Sequence, residues 1–259
     1  MAVFKASPAD GAAWVTGASE GIGMAVAQRL AAQGYTVYAS ARSREKLERL
    51  AQAHSGPGRF VPLPLDVTDR GACARAVGRI VGESGSLALA ILNAGTFVQI
   101  QAFNLDFEAF DKTLAVNLNG VINGLLPAIE AMKDAGRGQI AIVSSSAGFG
   151  GLPKSAAYGA SKSAVINMAE SLKFDLDRMN IRMQIVTPGF VETPLTDKND
   201  FPMPFLMPLD KAADAFVAGL ARDAFEITFP RRLTFILKLL GLLPYALYFP
   251  LVKRVTGMR

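Results

Sequence analysis

Short apolar runs alternate with helical segments along most of this chain, and that alternation limits the folds it can adopt. The runs that predict strands lie at residues 12–18, 35–41, 60–67, 87–93, 139–144 and 181–187. The segments with helical patterning lie at 22–34, 44–54, 71–83, 107–135 and 156–179. Strands that are apolar throughout are buried on both faces, so helices must cover both sides of a parallel sheet. The sequence therefore predicts an α/β fold, a doubly wound parallel sheet in a single domain.

The size and composition of the chain exclude several protein classes. Its 259 residues can bury one sizeable core, and 51% hydrophobic against 19% charged residues excludes a disordered, collagen-like or coiled-coil chain. The single cysteine, Cys73, and the single histidine, His54, exclude a disulfide framework and a metal centre built from those residues, so we predict no metal. Residues 1–11 contain no apolar signal segment, so we expect a cytoplasmic location.

A glycine-rich turn at 16–23 joins the first predicted strand to the first predicted helix. Gly17 permits a tight turn, Gly21 lets a pyrophosphate approach the backbone, and Gly23 lets helix and strand pack closely. The alternative is that the glycines only punctuate a βα loop. The position at the first βα turn favours a Rossmann-type dinucleotide site, with phosphates at the helix start. The predicted cofactor-binding residues of this turn are Thr16, Gly17, Ser19, Glu20, Gly21, Ile22 and Gly23.

The end of the second predicted strand bears on which dinucleotide binds. An acid there would hold the ribose hydroxyls of NAD(H), whereas an arginine would bind the 2′-phosphate of NADP(H). The strand ends in Ala39-Ser40-Ala41-Arg42, without an acid. NADP(H) is therefore favoured, with Arg42 as the phosphate ligand, although a solvated arginine is the plainer interpretation. Glu20 places an anion close to the expected phosphates, so NAD(H) stays the alternative cofactor.

Tyr158 and Lys162 stand four residues apart, on one face of a predicted helix. A free tyrosine has a pKa of about 10, too high for efficient proton exchange at neutral pH, and a nearby ammonium would lower it. Ser144, Ser145 and Ser146 end a buried strand, where open α/β sheets bind ligands, and a serine hydroxyl there could bind a carbonyl oxygen. The alternative is a Tyr–Lys pair on a solvated helix face, with serines that only cap a strand.

In combination, these motifs resemble those of the short-chain dehydrogenase/reductase family over residues 10–195. The motifs that match, in the family's order, are the turn at 16–23, Asp66-Val67, Asn93-Ala94-Gly95, Val116-Asn117-Leu118, the serine–tyrosine–lysine set and residues 188–193. The resemblance implies that Asp66 and Val67 contact the adenine and that Thr193 lies near the nicotinamide carboxamide. The other cofactor contacts that it implies are Asn93, Ala94, Gly95, Tyr158, Lys162, Pro188, Gly189 and Val191.

The same resemblance implies a catalytic set of Asn117, Ser145, Tyr158 and Lys162. Ser145 is the serine that matches, because it lies 13 residues before Tyr158. A hydride would pass between the nicotinamide and a hydrophobic ketone, aldehyde or secondary alcohol. Tyr158 would act as general acid/base, while Ser145 would bind the reacting oxygen. Lys162 would lower the pKa of Tyr158 and hold the nicotinamide ribose, and Asn117 would order the proton relay.

The family resemblance also implies a homodimer or homotetramer, assembled through the helices at 107–135 and 156–179. A hypothesis from a different class is a non-catalytic sensor or scaffold that binds a dinucleotide. The intact set of four catalytic residues argues against a sensor, because a sensor has no need of all four. We therefore expect an enzyme.

A strongly apolar stretch, residues 201–208, lies within a predicted substrate loop at about 194–212. Leaving such a loop in water is costly, so we expect it to fold over something apolar. One interpretation is a lid over a hydrophobic substrate. The other is a loop packed on the C-terminal tail or on a second subunit.

The net charge of +5 comes from the C-terminal segment, which divides the chain into a catalytic body at 1–224 and an extension at 225–259. The extension carries six cations and one anion, Glu226, whereas the body has 21 of each sign. A neutral body without a binding motif argues against a nucleic-acid partner.

Residues 233–252 are mostly apolar, but Lys238 interrupts them, and the charge-free stretch at 239–252 is shorter than the roughly 18–20 residues that span a bilayer. Apolar residues with cations at both ends predict an amphipathic element lying in an anionic membrane surface. The alternative is an apolar arm packed on its own subunit or on a partner. A peripheral membrane contact is slightly favoured.

Overall fold

The computed structural model describes residues 3–103 and 105–257 of the chain. The strands within these residues are β1 Ala12–Thr16, β2 Thr36–Ser40, β3 Arg59–Pro62, β4 Leu87–Leu92, β5 Gly138–Val143, β6 Ile181–Pro188 and β7 Glu226–Phe229. They form one parallel sheet in the order β3-β2-β1-β4-β5-β6-β7. The strand order reverses between β1 and β4, and such a reversal opens a ligand crevice at the carboxyl ends of the strands.

Helices connect the strands and cover both faces of the sheet. They are α1 Gly21–Ala32, α2 Arg44–Ala53, α3 Arg70–Ser84, α4 Phe107–Leu114, α5 Gly120–Asp134, α6 Ala156–Arg178, α7 Leu209–Leu220, α8 Arg231–Gly241 and α9 Tyr245–Thr256. Along β1, Ala13 and Val15 pack against α1 and α7, whereas Trp14 packs on the other face with α3, α5 and α6. This arrangement confirms the predicted Rossmann-type α/β fold and its doubly wound sheet.

The third strand is shorter than the predicted run at 60–67. It ends at Pro62, because its neighbour in the sheet, β2, ends at Ser40 and the chain then turns away. Two hydrogen bonds prolong the pairing, from Leu63 N–H to the Ala39 carbonyl at 2.9 Å and from Leu65 N–H to the Ala41 carbonyl at 3.1 Å. Residues 66 and 67 therefore lie beyond the strand, at the carboxyl edge of the sheet.

The predicted boundary between residues 224 and 225 needs correction. β7 lies inside the predicted extension, yet it pairs in parallel with β6, with Thr187 opposite Thr228. β7 has only four residues and no long apolar run, so its sequence alone gives little sign of a strand. Its place at the edge of the sheet depends on pairing with β6. The segment beyond the sheet therefore begins at Arg231, the first residue of α8.

The predicted substrate loop at 194–212 also ends earlier than expected. Helix α7 begins at Leu209, directly after Pro208, and Asp210 lies in its first turn. An acid in the first turn stabilises a helix start through the helix dipole. The irregular part of the loop therefore stops at Pro208.

The predicted helix at 107–135 is continuous but not regular. A π-helical turn, Ala115–Asn119, joins α4 to α5 and places Asn117 in the protein interior. Within the described residues, the helix Phe107–Asp134 is long and apolar enough to cross a membrane by length and composition. Its buried residues Val121, Leu125, Ala128 and Met132 pack on the sheet, which is the arrangement of a core helix.

Candidate active site

The glycine turn after β1 has a backbone conformation that favours glycine. Gly17 and Gly21 adopt positive φ angles of 66° and 58°. A Cβ on Gly23 would lie 2.3 Å from the Gly17 carbonyl oxygen, and a Cβ on Gly17 would lie 2.8 Å from Ala94 Cα. The turn therefore closes tightly on itself and on the end of β4. Its glycines place no side chains over the backbone where α1 begins, and such a helix start fits the phosphates of a dinucleotide.

Thr16 and Asn93 hold this turn against β4. Thr16 Oγ1 accepts hydrogen bonds from the Asn93 N–H at 2.9 Å and the Ala94 N–H at 3.1 Å. The Asn93 amide in turn donates to the Thr16 carbonyl at 3.0 Å and the Gly17 carbonyl at 3.2 Å. Both side chains were predicted as cofactor-binding residues, and the structure gives each a role in fixing the shape of the turn.

The segment after β6 lies next to the glycine turn. A Cβ on Gly21 would lie 3.4 Å from Thr193 Cγ2, so the structure brings these two predicted cofactor residues together. Thr196 orders this segment, because its hydroxyl donates to the Val191 carbonyl at 2.6 Å and accepts from the Thr193 N–H at 3.0 Å. Pro188 ends β6, and the Gly189 N–H donates to the Phe229 carbonyl at 2.8 Å.

Asp66 lies at the far side of the crevice, near enough to Arg42 for the arginine charge to act on its carboxyl. Burial would raise the pKa of the Asp66 carboxyl, but two hydrogen bonds from Thr68 and the Arg42 charge hold that pKa below its usual range. The Thr68 N–H and hydroxyl reach Asp66 Oδ1 at 2.9 and 2.8 Å. Val67 is held through its carbonyl, which accepts from the Asn123 amide at 2.9 Å. The predicted adenine contacts and the predicted phosphate ligand are therefore neighbours.

Glu20, the anion that argued against NADP(H), has a cationic partner. Lys46 Nζ on α2 lies 2.6 Å from Glu20 Oε2, and both side chains are about half exposed. Sequence reasoning did not find Lys46, because the two residues are 26 positions apart and only the packing of α2 beside the turn brings them together. The ion pair weakens the repulsion that Glu20 would otherwise exert on the 2′-phosphate of NADP(H) near the turn.

Tyr158 and Ser145 face each other across the catalytic end of the crevice. Burial raises the pKa of the Tyr158 phenol above its usual value, while a hydrogen bond from the Ser145 side chain acts in the opposite direction. The Phe97 ring packs edge-on against the Tyr158 ring, with centroids 5.1 Å apart. Burial therefore outweighs the Ser145 hydrogen bond at Tyr158, and the lowering of the Tyr158 pKa by Lys162 stays a prediction.

Lys162 is buried and bound to the sheet. Its ammonium donates to the Val143 carbonyl at 2.9 Å and lies 5.7 Å from the centroid of the Tyr158 ring. Burial lowers the pKa of Lys162 to about 8. The residue is therefore oriented by the end of β5, and the Ser144 hydroxyl, which donates to the Lys162 carbonyl at 2.8 Å, fixes its backbone.

Asn117 lies in the π turn and is fully buried. Its Oδ1 accepts from the Thr96 N–H at 2.7 Å, and its amide donates to the Thr96 carbonyl at 2.9 Å and to Ser161 Oγ at 3.2 Å. A Cβ on Gly95 would lie 3.5 Å from Asn117 Oδ1 and 3.6 Å from Lys162 Nζ. The glycine therefore keeps open the space between the asparagine and the lysine.

A polar clamp, formed by Asp200, Lys154 and Gln99, joins the predicted substrate loop to the loops that precede α6 and follow β4. Lys154 Nζ lies 2.8 Å from both Asp200 carboxylate oxygens, and the Gln99 amide donates to Asp200 Oδ1 at 3.1 Å. The Phe201 ring of the loop lies 6.0 Å from the ring of Phe190, which precedes the loop. Sequence reasoning missed the clamp, because its residues come from three separate loops.

Comparison with known proteins decides the family. The sequence profile described as short chain dehydrogenase matches residues 11–202. The chain belongs to the short-chain dehydrogenase family. Members of this family are NAD(P)-dependent oxidoreductases, so the predicted fold, enzyme class and family are confirmed.

The similarity covers most of this short-chain dehydrogenase. A Myxococcus xanthus protein named as an uncharacterized oxidoreductase is 35% identical over 244 residues, 94% of this chain and 96% of the relative. The 3-oxoacyl-(acyl-carrier-protein) reductase FabG of Thermotoga maritima is 37% identical over 185 residues, 71% of this chain and 75% of the relative. A Burkholderia cenocepacia short chain dehydrogenase in complex with NADP superposes with a TM-score of 0.80 at 30% identity, covering 93% of this chain and 97% of that one.

Proposed function

We propose that this short-chain dehydrogenase transfers a hydride between NADP(H) and a hydrophobic ketone, aldehyde or secondary alcohol, with Tyr158 as general acid/base. The observation that carries the proposal is the pairing of the Ser145 and Tyr158 side chains at the carboxyl edge of the sheet, beside buried Lys162. The nicotinamide dinucleotide, when bound, supplies or accepts the hydride.

The two hydroxyl groups act on the reacting oxygen. Ser145 Oγ donates a hydrogen bond to the oxygen as negative charge develops on it. Tyr158 Oη gives a proton to that oxygen in the reductive direction and takes it back in the oxidative direction. The edge-on Phe97 ring holds the phenol in place and excludes water from one side of it.

Lys162 and Asn117 support the proton transfer. The Lys162 ammonium lies beside the tyrosine ring, and an anionic phenolate formed during turnover is stabilised by that charge. A pKa of about 8 lets Lys162 exchange protons near neutral pH. Asn117 borders the space that Gly95 leaves open next to Lys162, so its Oδ1 can order the groups that relay the proton.

Tyr158→Phe tests the mechanism. The variant is expected to lose turnover by about a thousandfold or more, because a positioned general acid/base contributes on that scale. Its affinity for NADPH, measured by fluorescence titration, is expected to stay within a factor of a few. Tyr245→Phe is the matched control, since Tyr245 is exposed on α9. Turnover that survives Tyr158→Phe would exclude Tyr158 as the general acid/base, whereas NADPH binding without turnover in the unmodified protein would favour a dinucleotide-binding sensor or scaffold.

The preference for NADP(H) over NAD(H) is supported by cations at the end of β2. Arg42 follows the strand, and Lys46 neutralises Glu20 in the adjacent turn. The solved Burkholderia cenocepacia relative is a complex with NADP, at 30% identity. Arg42→Ala is expected to weaken NADPH binding at least tenfold more than NADH binding. Equal losses for the two cofactors would point to NAD(H).

The apolar substrate loop supports a hydrophobic substrate. Phe201 of the loop packs against Phe190, while Phe205 and Leu206 of the loop remain partly exposed. NADPH oxidation is to be screened against long-chain and polycyclic ketones and aldehydes. We expect activity that rises with chain length or ring number, whereas a preference for small polar carbonyls would contradict the assignment.

Exposed apolar residues on two helices support a homodimer or homotetramer. Leu126 on α5 is 55% exposed and Phe174 on α6 is 77% exposed. Such residues on helices that the family resemblance assigns to an interface are expected to be covered by a second subunit. Phe174→Asp is expected to lower the mass measured by sedimentation, and an unchanged mass would exclude this interface.

A further inference from the structure

Helices α8 and α9 present an apolar surface that no other part of the described chain covers. We call it the α8–α9 surface. Nine of the sixteen large apolar side chains that are exposed in the described residues belong to it, each at least 40% exposed. They are Phe235, Ile236, Leu239, Leu242, Tyr245, Leu247, Phe249, Leu251 and Val255. Exposure on this scale is rare on a surface that faces only water.

The exposed residues of α8 share one side of the helix. Phe235, Ile236, Leu239 and Leu242 follow helical spacing, while the opposite side carries buried Leu233 and Thr234. Helix α8 is packed on the protein through a separate inner face. The exposure of these four apolar residues is therefore not the result of a loosely packed helix.

Helix α9 is attached along a narrow seam. Of its twelve residues only Tyr248 and Val252 are buried, and the Tyr248 hydroxyl donates to the Gly151 carbonyl at 2.9 Å. The Tyr245 and Phe249 rings stack at 5.6 Å on the exposed part of the helix. Aromatic side chains with one polar tip suit the boundary between water and lipid.

Exposed cations lie at both ends of the α8–α9 surface. Arg231 and Arg232 begin α8, and Lys253 and Arg254 lie in the last turn of α9. The single carboxylate of residues 225–259, Glu226, is already bound by Lys238 and by the Thr187 hydroxyl. The surface therefore combines an apolar centre with positive ends and offers no free carboxylate.

We propose that the α8–α9 surface binds the surface of an anionic lipid bilayer. The apolar side chains would enter the headgroup region, and the terminal cations would bind the anionic headgroups. A second copy of the chain is a poorer occupant, because a two-fold contact through this surface would bring its cations together without a carboxylate to neutralise them.

Helix α8 also contacts the two loops that border the catalytic residues. A Cβ on Gly189 would lie 2.7 Å from Leu233 Cδ2, and a Cβ on Gly241 would lie 2.9 Å from the Phe149 carbonyl oxygen. Gly189 follows β6, and Phe149 lies between Ser145 and Tyr158 in the chain. A bilayer bound at α8 would therefore lie against a helix that contacts both of these loops. If the proposed function is right, this placement points to a substrate class of apolar carbonyls or alcohols that are dissolved in the bilayer.

The first test is flotation of the full-length protein with vesicles. We expect it to float with vesicles of phosphatidylcholine and phosphatidylglycerol and to stay unbound with phosphatidylcholine alone. The triple variant Phe235→Ser/Leu239→Ser/Phe249→Ser is expected to lower binding by about tenfold or more, since three large apolar side chains no longer enter the bilayer. Phe107→Ser is the matched control, because Phe107 is 86% exposed on α4.

A second variant tests the charges without touching the apolar residues. Arg232→Glu/Arg254→Glu is expected to abolish binding to the anionic vesicles. Lys112→Glu/Lys211→Glu makes the same change of formal charge at exposed positions on α4 and α7, and it is expected to bind as the unmodified protein does. High salt is expected to weaken binding of the unmodified protein.

Three outcomes would overturn the proposal. The first is that the unmodified protein does not float with anionic vesicles, and the second is that Phe107→Ser loses as much vesicle binding as the triple variant. The third is that the unmodified protein binds no vesicles while the triple variant forms a smaller assembly in sedimentation. The third result would assign the surface to a second copy of the chain. Turnover of a water-soluble ketone in the absence of vesicles is expected to be unchanged in the triple variant, so a failure of lipid binding is distinct from a failure of the catalytic assignment.

Discussion

The Lys162 ammonium donates a hydrogen bond to the Val143 carbonyl oxygen at 2.9 Å, which anchors a buried charge to the end of β5. The contact places the ammonium under the Tyr158 ring and keeps it out of bulk water. Burial of an ammonium disfavours its charged form, and this is why the pKa of Lys162 falls to about 8. Lys162 is thus held in place at a cost in stability.

Lys162→Met is expected to reveal that cost as a pH dependence. The unfolded-state pKa of lysine is about 10.4, above the folded value, so burial of the charge destabilises the protein fully below pH 8. Between the two pKa values the unfolded state binds more protons, so the native protein gains stability as the pH rises. Its free energy of unfolding, relative to the variant, is expected to increase by at most about 3 kcal/mol from pH 7 to pH 10.5.

Urea denaturation of both proteins at several pH values measures this difference. Lys211→Met, at an exposed position on α7, is the control and is expected to show no comparable trend. A difference between native protein and Lys162→Met that is flat with pH would contradict the burial of a protonated lysine.

Ser145→Ala is expected to raise the pKa of Tyr158 further. The hydrogen bond from Ser145 is the interaction that opposes the effect of burial on that phenol, and the variant removes it. Tyrosinate absorbance, taken as the difference from Tyr158→Phe, measures the shift. Turnover is expected to fall about a hundredfold or more through lost binding of the reacting oxygen. Ser146→Ala is the control, and an unchanged Tyr158 titration in Ser145→Ala would contradict the contact.

Lys46→Met is expected to weaken NADPH binding by roughly five- to tenfold and NADH binding much less. Without Lys46 the Glu20 carboxylate is unneutralised near the glycine turn, where it repels a 2′-phosphate. The double variant Lys46→Met/Glu20→Gln is expected to recover most of the lost NADPH affinity. Isothermal titration of the four proteins of this cycle measures the coupling, and a double variant no better than Lys46→Met would refute it.

Asp200→Asn is expected to raise the KM for substrate several-fold while kcat changes little. The Asp200 carboxylate holds the substrate loop to Lys154 and Gln99, and an amide forms a weaker contact with the ammonium. Limited proteolysis at 196–206 is expected to become faster in the variant. Asp197→Asn, at an exposed position in the same loop, is the control. Equal cleavage rates in the two variants would show that the clamp does not restrain the loop.

Tyr248→Phe is expected to loosen α9 and the loop before the catalytic helix. The variant removes the hydrogen bond to the Gly151 carbonyl, which is worth about 1 kcal/mol, and lowers Tm by a few degrees. Hydrogen exchange is expected to become faster in residues 149–152. Tyr245→Phe removes an exposed hydroxyl and is expected to change neither quantity, and faster exchange in both variants would refute the assignment.

Much of the fold follows from local patterns. The glycine turn, the buried strands β1, β4, β5 and β6 and the long helices lie within two residues of their predicted limits, because apolar periodicity and glycine positions act over short stretches of chain. β7 was missed because four residues carry little periodicity and depend on β6 for their pairing. The π turn around Asn117 was missed because helical patterning alone does not distinguish π from α hydrogen bonding.

The same division applies to the site. Residue types and their order in the chain predicted Ser145, Tyr158, Lys162 and the glycine turn as site residues, because each proposed chemical role requires a particular side chain. Tertiary packing decided the burial that shifts the pKa values of Tyr158 and Lys162, the pairing of Glu20 with Lys46 and the outward direction of the α8 stripe. These properties depend on burial and on partners distant in the chain. Burial and distant contacts are not fixed by a residue and its sequence neighbours, so only the folded chain establishes these properties.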